Sequence, residues 1–110
     1  MDKWILVVES NCLDPSKERE FNQWYDRIHL PDILAMAGAV RASRYENPNP
    51  GEQGGRYIAL YELETEDAVG FVQSLAENMG KWIEQERLSP LLQAVSASLY
   101  RMITPPVGKE

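Results

Sequence analysis

A chain of 110 residues is one domain by length, with room for a two-layer core and little apolar surface to spare, so pairing of two copies would help it bury more. A formal charge of −6 and a pI near 4.8, with eleven Lys and Arg residues that form no cluster in sequence, exclude nucleic acid and anionic membrane as partners and leave small molecules or protein. Cys12 stands alone, so no intrachain disulfide or thiolate metal cluster forms; with no signal peptide and no run near the roughly 20 apolar residues of a membrane span, a cytoplasmic protein is expected.

The chain opens with Trp4-Ile5-Leu6-Val7-Val8, an apolar run rich in β-branched residues that suits a strand covered on both faces. Asn11 to Pro15 reads as a turn in which Asp14 caps a helix and Pro15 takes its first position. On that helix Phe21, Trp24, Tyr25 and Ile28 share one stripe at about 100° per residue, and His29 falls roughly 40° outside it on the Tyr25 side. Pro31 disfavours the α conformation at Leu30, so the helix is expected to stop near His29, with a short turn from Pro31 to Met36. The only histidine then stands in a last turn whose unpaired carbonyls favour its protonated form.

Gly38 ends this helical region, and Val40 to Tyr45 reads as a second strand whose Arg41 and Arg44 suit a sheet edge. Residues 47–55, rich in Pro, Asn and Gly, predict a long hairpin connection, mobile or a lid. Arg56 to Leu63 follows as a central strand, apolar on both parities. Thr65 is expected to cap a second helix with Ala68, Phe71, Val72, Leu75 and Met79 on its stripe. Gly80 would end it, a further short helix would carry Trp82 and Ile83, and Pro90 would precede a last strand from about Val95 to Ile103.

The order is β-α-β-β-α-β, a ferredoxin-like α+β arrangement: a four-stranded antiparallel sheet with its helices on one face. One domain over residues 1–104 and a flexible tail over 105–110 are expected. Apolar residues on both parities call for a second subunit to cover the other face, hence a homodimer.

The order of elements, the chain length and Phe21-x-x-Trp24-Tyr25-Asp26-x-x-His29-Leu30-Pro31-Asp32, followed by the strand from Gly38 to Tyr45, resemble the dimeric α/β-barrel superfamily, and within it EthD-like proteins, small polyketide cyclases and antibiotic-biosynthesis monooxygenases. The resemblance covers nearly the whole chain. It implies two sheets paired face to face and a small apolar cavity in each subunit between helices and sheet. By motif position it places His29 and Tyr25 as polar groups at that cavity, with Trp24 and Asp26 beside them.

Imidazole is the one side chain that titrates near neutral pH unperturbed, so His29 is the candidate general acid or base; its bland alternative is a helix-end histidine bonded to the last carbonyls. Tyr25, four residues earlier, would pair with it or simply pack; Asp26 would orient the imidazole or stand in solvent. Phe21, Trp24 and Ile28 are core residues by spacing, or cavity lining. Arg41, Arg44 and Tyr45 would hold a substrate carboxylate or, preferably, make dimer contacts. No phosphate-cradling glycine loop, dinucleotide fingerprint, nucleophile elbow or zinc spacing occurs, so no cofactor and no metal is expected. The leading expectation is a cofactor-independent cyclase, isomerase or monooxygenase acting on a small hydrophobic, aromatic or polyketide-like molecule. The alternative is a non-catalytic dimer that binds such a molecule.

Overall fold

Side-chain alternation along the strands decides how the sheet is covered. In the computed structural model, which describes residues 1–52 and 54–109, β1 (Lys3–Cys12), β2 (Ala39–Glu46), β3 (Tyr57–Glu64) and β4 (Leu92–Arg101) form one antiparallel sheet in the order β2-β3-β1-β4. Leu6 and Ser10 on β1, and Tyr57, Ala59, Tyr61 and Leu63 on β3, are buried on one face, with Leu6 paired opposite Tyr61. Phe21, Tyr25, Ile33 and Phe71 from the helices pack on that face and complete the core. The other parity, with Ile5, Val7, Ile58 and Leu60, is only half-buried. The sequence reading of strands sealed on both sides therefore holds on one side within a single chain. Connectivity and layering are those of the ferredoxin-like α+β fold.

β2 is an edge strand, as its arginines suggest, and Arg41 reaches across to Glu62 of β3 with Nη2 2.9 Å from Oε1. The described part of the 47–55 connection is fastened to β1. Asn11 accepts from the Arg56 backbone N–H at 2.8 Å, and Gly55 lies so close that a Cβ there would stand 2.8 Å from Cβ of Glu9. No described residue of the connection lines the apolar cavity on the helix side. β4 begins three residues earlier than expected, because Leu92 pairs with Cys12 at the far end of β1; a bulge at Val95, between the partners of Glu9 and Ser10, lets so long a strand follow the twist.

Three helix boundaries differ from the sequence reading. Asp14 caps a short 3₁₀ turn (Pro15–Lys17), from which α1 (Glu18–Trp24) continues through a π-helical turn (Tyr25–His29) directly into α2 (Leu30–Leu34). The expected stop near His29 does not occur. α3 (Ala68–Glu84) runs through Gly80, whose Cβ position is open space, so the glycine weakens the helix without ending it. Asp67, not Thr65, is its N-cap: Oδ1 accepts from Gly70 N at 2.8 Å, while Thr65 Oγ1 accepts from Asp67 N. Residues 105–109 carry no regular structure. No helix among the described residues is long and apolar enough to cross a membrane.

Candidate functional site

Proline inside a helix removes one backbone donor and crowds the carbonyl four residues back, and here a wider turn absorbs that conflict. The N–H of Leu30 donates to the carbonyl of Tyr25, five residues earlier, and Pro31 becomes an early residue of α2 instead of a breaker. The backbone stays right-handed helical through His29 and Leu30. The extra residue in this turn changes which side chains align. In an α-helix residues four apart are offset by about 40° in one direction, but across a turn closed five residues apart the offset runs the other way, so the two nearly cancel between Tyr25 and Ile33. Tyr25, His29 and Ile33 consequently share the buried face, and Ile28 turns aside to half-burial.

His29 is 4% exposed and lies among three rings: stacked on Trp24 at 4.8 Å between centroids, and edge-on to Tyr25 at 4.9 Å and Trp82 at 5.9 Å. Among the described residues no hydrogen bond holds its ring nitrogens. Burial pushes its pKa down to about 4, with Asp32 opposing the fall and Arg44 adding to it. The helix-end reading, which favoured an imidazolium, is thereby corrected: the helix continues past His29, the ring is buried among aromatic rings, and it is neutral at pH 7.

A cavity of about 320 Å³ opens beside it between α3 and the sheet. Tyr25, His29 and Ile33 form one wall, Val8 and Tyr61 the floor, Val72, Leu75 and Met79 the opposite wall, and the stretch Ala94–Ala97 one side. The hydroxyls of Tyr25 and Tyr61 stand 3.4 Å apart. Burial raises the pKa of both phenols above the ordinary tyrosine value, so both keep their protons at neutral pH. Tyr61 is the cavity residue that sequence reasoning missed. Its strand was recognised, but only the pairing order shows that its parity faces the helices and that Tyr25 lies above it.

The remaining candidates have other places. Phe21 is fully buried against Trp24, Tyr25 and Tyr57, and Trp24 donates from Nε1 to the Arg87 carbonyl at 2.8 Å. Neither they nor Ile28 lines the cavity. Asp26 does not reach His29; it accepts from Arg44 at 2.9 Å. Arg44 itself projects to the helix side, mostly buried, so the expected dimer contact is not its position. Asp32 accepts from both Arg87 Nε and Nη2 at 2.9 Å and so fastens α2 to the segment after α3. No group of three His, Cys, Asp or Glu side chains among the described residues is placed to share a metal ion.

No family model matches the sequence. Core atranone cluster (CAC) protein 1 of the fungus Stachybotrys chlorohalonatus is 38% identical over 61 residues, 54% of this chain and 26% of that protein, so the chain spans about a quarter of the curated relative it matches. A dimeric ferredoxin-like protein from an uncultured marine organism superposes with a TM-score of 0.67 at 14% identity, over 96% of this chain and 100% of that one. This chain has the ferredoxin-like fold. A protein from Shewanella loihica PV-4 described as a candidate monooxygenase shares that fold, with a TM-score of 0.61 at 17% identity over 96% and 99% of the two chains.

Proposed function

We propose that this protein is a cofactor-independent enzyme whose neutral His29 removes a proton from a small hydrophobic, aromatic or polyketide-like substrate held in the cavity. One observation carries the reading: the His29 imidazole, free of protein hydrogen bonds among the described residues, borders an apolar cavity beside the paired phenols of Tyr25 and Tyr61. The imidazole takes the proton, and Tyr25 with Tyr61 donates hydrogen bonds to the oxygen on which negative charge collects. Returning that proton to another atom gives isomerisation or cyclisation; an oxygenase would pass an electron from the same anion to dioxygen as co-substrate. The description of the Shewanella protein as a candidate monooxygenase, and the naming of the Stachybotrys relative as a core atranone cluster protein, support a reaction of this kind.

The reading includes a homodimer formed through the open sheet face, where Val40, Tyr45 and Tyr100 are exposed beside half-buried Ile5 and Leu60. The dimeric state of the marine fold relative supports it. The experiment is to identify by mass spectrometry the small molecules that copurify with the protein, then to follow their conversion by the parent and by His29→Gln. Loss of about 10²–10⁴ in rate with affinity held within a few-fold is expected. Conversion that persists in His29→Gln contradicts the proton-transfer role. Binding without conversion by the parent makes this a sequestering protein.

A further inference from the structure

Tyr25 has one charged neighbour that does not line the cavity. Arg44 rises from β2 under the helix, its side chain only 13% exposed, with Cζ 4.1 Å from the centroid of the Tyr25 ring and 5.4 Å from that of Tyr57. Its Nη1 donates to Asp26 Oδ1 at 2.9 Å and its Nη2 to Asn22 Oδ1 at 2.8 Å. Asn22, Tyr25 and Asp26 are spaced i, i+3 and i+4, so one helical face clasps a single guanidinium from three positions. Arg44 Nε is buried with no partner. A surface ion pair with the exposed Asp26 would not require that burial, which carries a desolvation penalty. What the burial achieves is a fixed positive charge against the face of a phenol that borders the cavity.

We propose that Arg44 is a positioning residue of this site: it fixes the Tyr25 ring and holds positive charge behind it, so that the Tyr25–Tyr61 hydroxyl pair favours an anionic oxygen in the cavity. The proposal rests on the proton-abstraction reading above and names what stabilises the anion which that step creates. Other charged or titratable groups bearing on the cavity are few. His29 is neutral, Tyr61 keeps its proton, Asp32 is held by Arg87, and Glu9 accepts from Ser96 Oγ at 2.6 Å. The lining contributed by α3 and β4 carries no ionisable side chain. Arg44 is thus the cation available to an anion bound at Tyr25, and Asp26 partly offsets it.

The probe is p-nitrophenol, whose bound phenol and phenolate forms are told apart by visible absorbance. The parent should bind the phenolate in preference, and Arg44→Met should reduce the phenolate-to-phenol ratio of the bound dye by about tenfold. Arg44→Lys should restore part of it, since charge is kept and the planar fork is lost. Asp26→Asn should move the ratio the opposite way, raising it a few-fold, because the guanidinium then lacks its counter-charge. Packing alone does not give opposite signs for two members of one ion pair. If Arg44→Met fails to fold, Arg44→Lys and Asp26→Asn carry the test. A ratio unchanged in the Arg44 variants, or lowered in Asp26→Asn, overturns the proposal while leaving the cavity reading intact; a parent that binds no dye overturns the cavity reading, and this proposal with it.

Discussion

Between the rings of Trp24, Tyr25 and Trp82, the His29 imidazole is kept neutral by burial, and that neutrality makes folding depend on pH in a definite direction. Its folded pKa of about 4 lies below the ordinary 6.5 of the unfolded chain. As pH falls, the unfolded chain takes up the proton first. The stability that this residue contributes is therefore complete above pH 6.5 and is lost as pH falls towards 4, by up to about 3 kcal/mol. His29→Phe keeps a ring in the pocket and removes the titration. Melting temperatures measured at pH 7 and pH 4.5 should fall less in this variant than in the parent; equal falls would mean that His29 titrates normally in the folded protein. The identity of the residue was legible from the sequence, as the sole histidine four residues after Tyr25. Its protonation state was not, because that depends on a mid-helix position and on burial among three rings, one of which, Trp82, comes from a distant helix.

The helices show where periodicity suffices and where it misleads. The stripe Ala68, Phe71, Val72, Leu75 and Met79 was read correctly, its members facing the core or the cavity, and the strand regions were found from apolar runs and turn residues. The π turn was not legible. A 100° period presumes α geometry, and the proline that signalled a stop instead marks the widened turn that brings His29 into line with Tyr25 and Ile33. α3 provides a test of two glycines in one helix. Gly80 has open space at its Cβ, so Gly80→Ala should stabilise by about 0.5–1 kcal/mol through helix propensity. At Gly70 a Cβ would meet Asp67 Oδ2 at 2.2 Å and push the cap aside, so Gly70→Ala should cost about 1 kcal/mol instead. Chemical denaturation of the two variants checks this; shifts of the same sign would contradict the assigned boundaries of α3.

At the scale of the whole molecule, one sheet face holds the core and the site, and the other lacks a cover within the chain. Leu60 lies at the middle of that second face, paired with Val7 on β1 and Ser43 on β2. Light scattering of the parent at micromolar concentration should give twice 12.5 kDa, and Leu60→Glu should give the single-chain mass without loss of helix signal. A parent that scatters as a single chain contradicts the dimer. The two-sided apolar pattern already pointed to this face, whereas the cavity, its Tyr61 floor and the Arg44 clasp required the strand order, because parity alone does not say which side of a strand meets the helices. The account as a whole depends on an imidazole that is uncharged and ready to accept a proton at neutral pH. Because His29 is the only histidine, its ring resonances can be followed through a pH titration by NMR without assignment: a midpoint near 4 is predicted, and a midpoint at or above 6.5 would contradict the account.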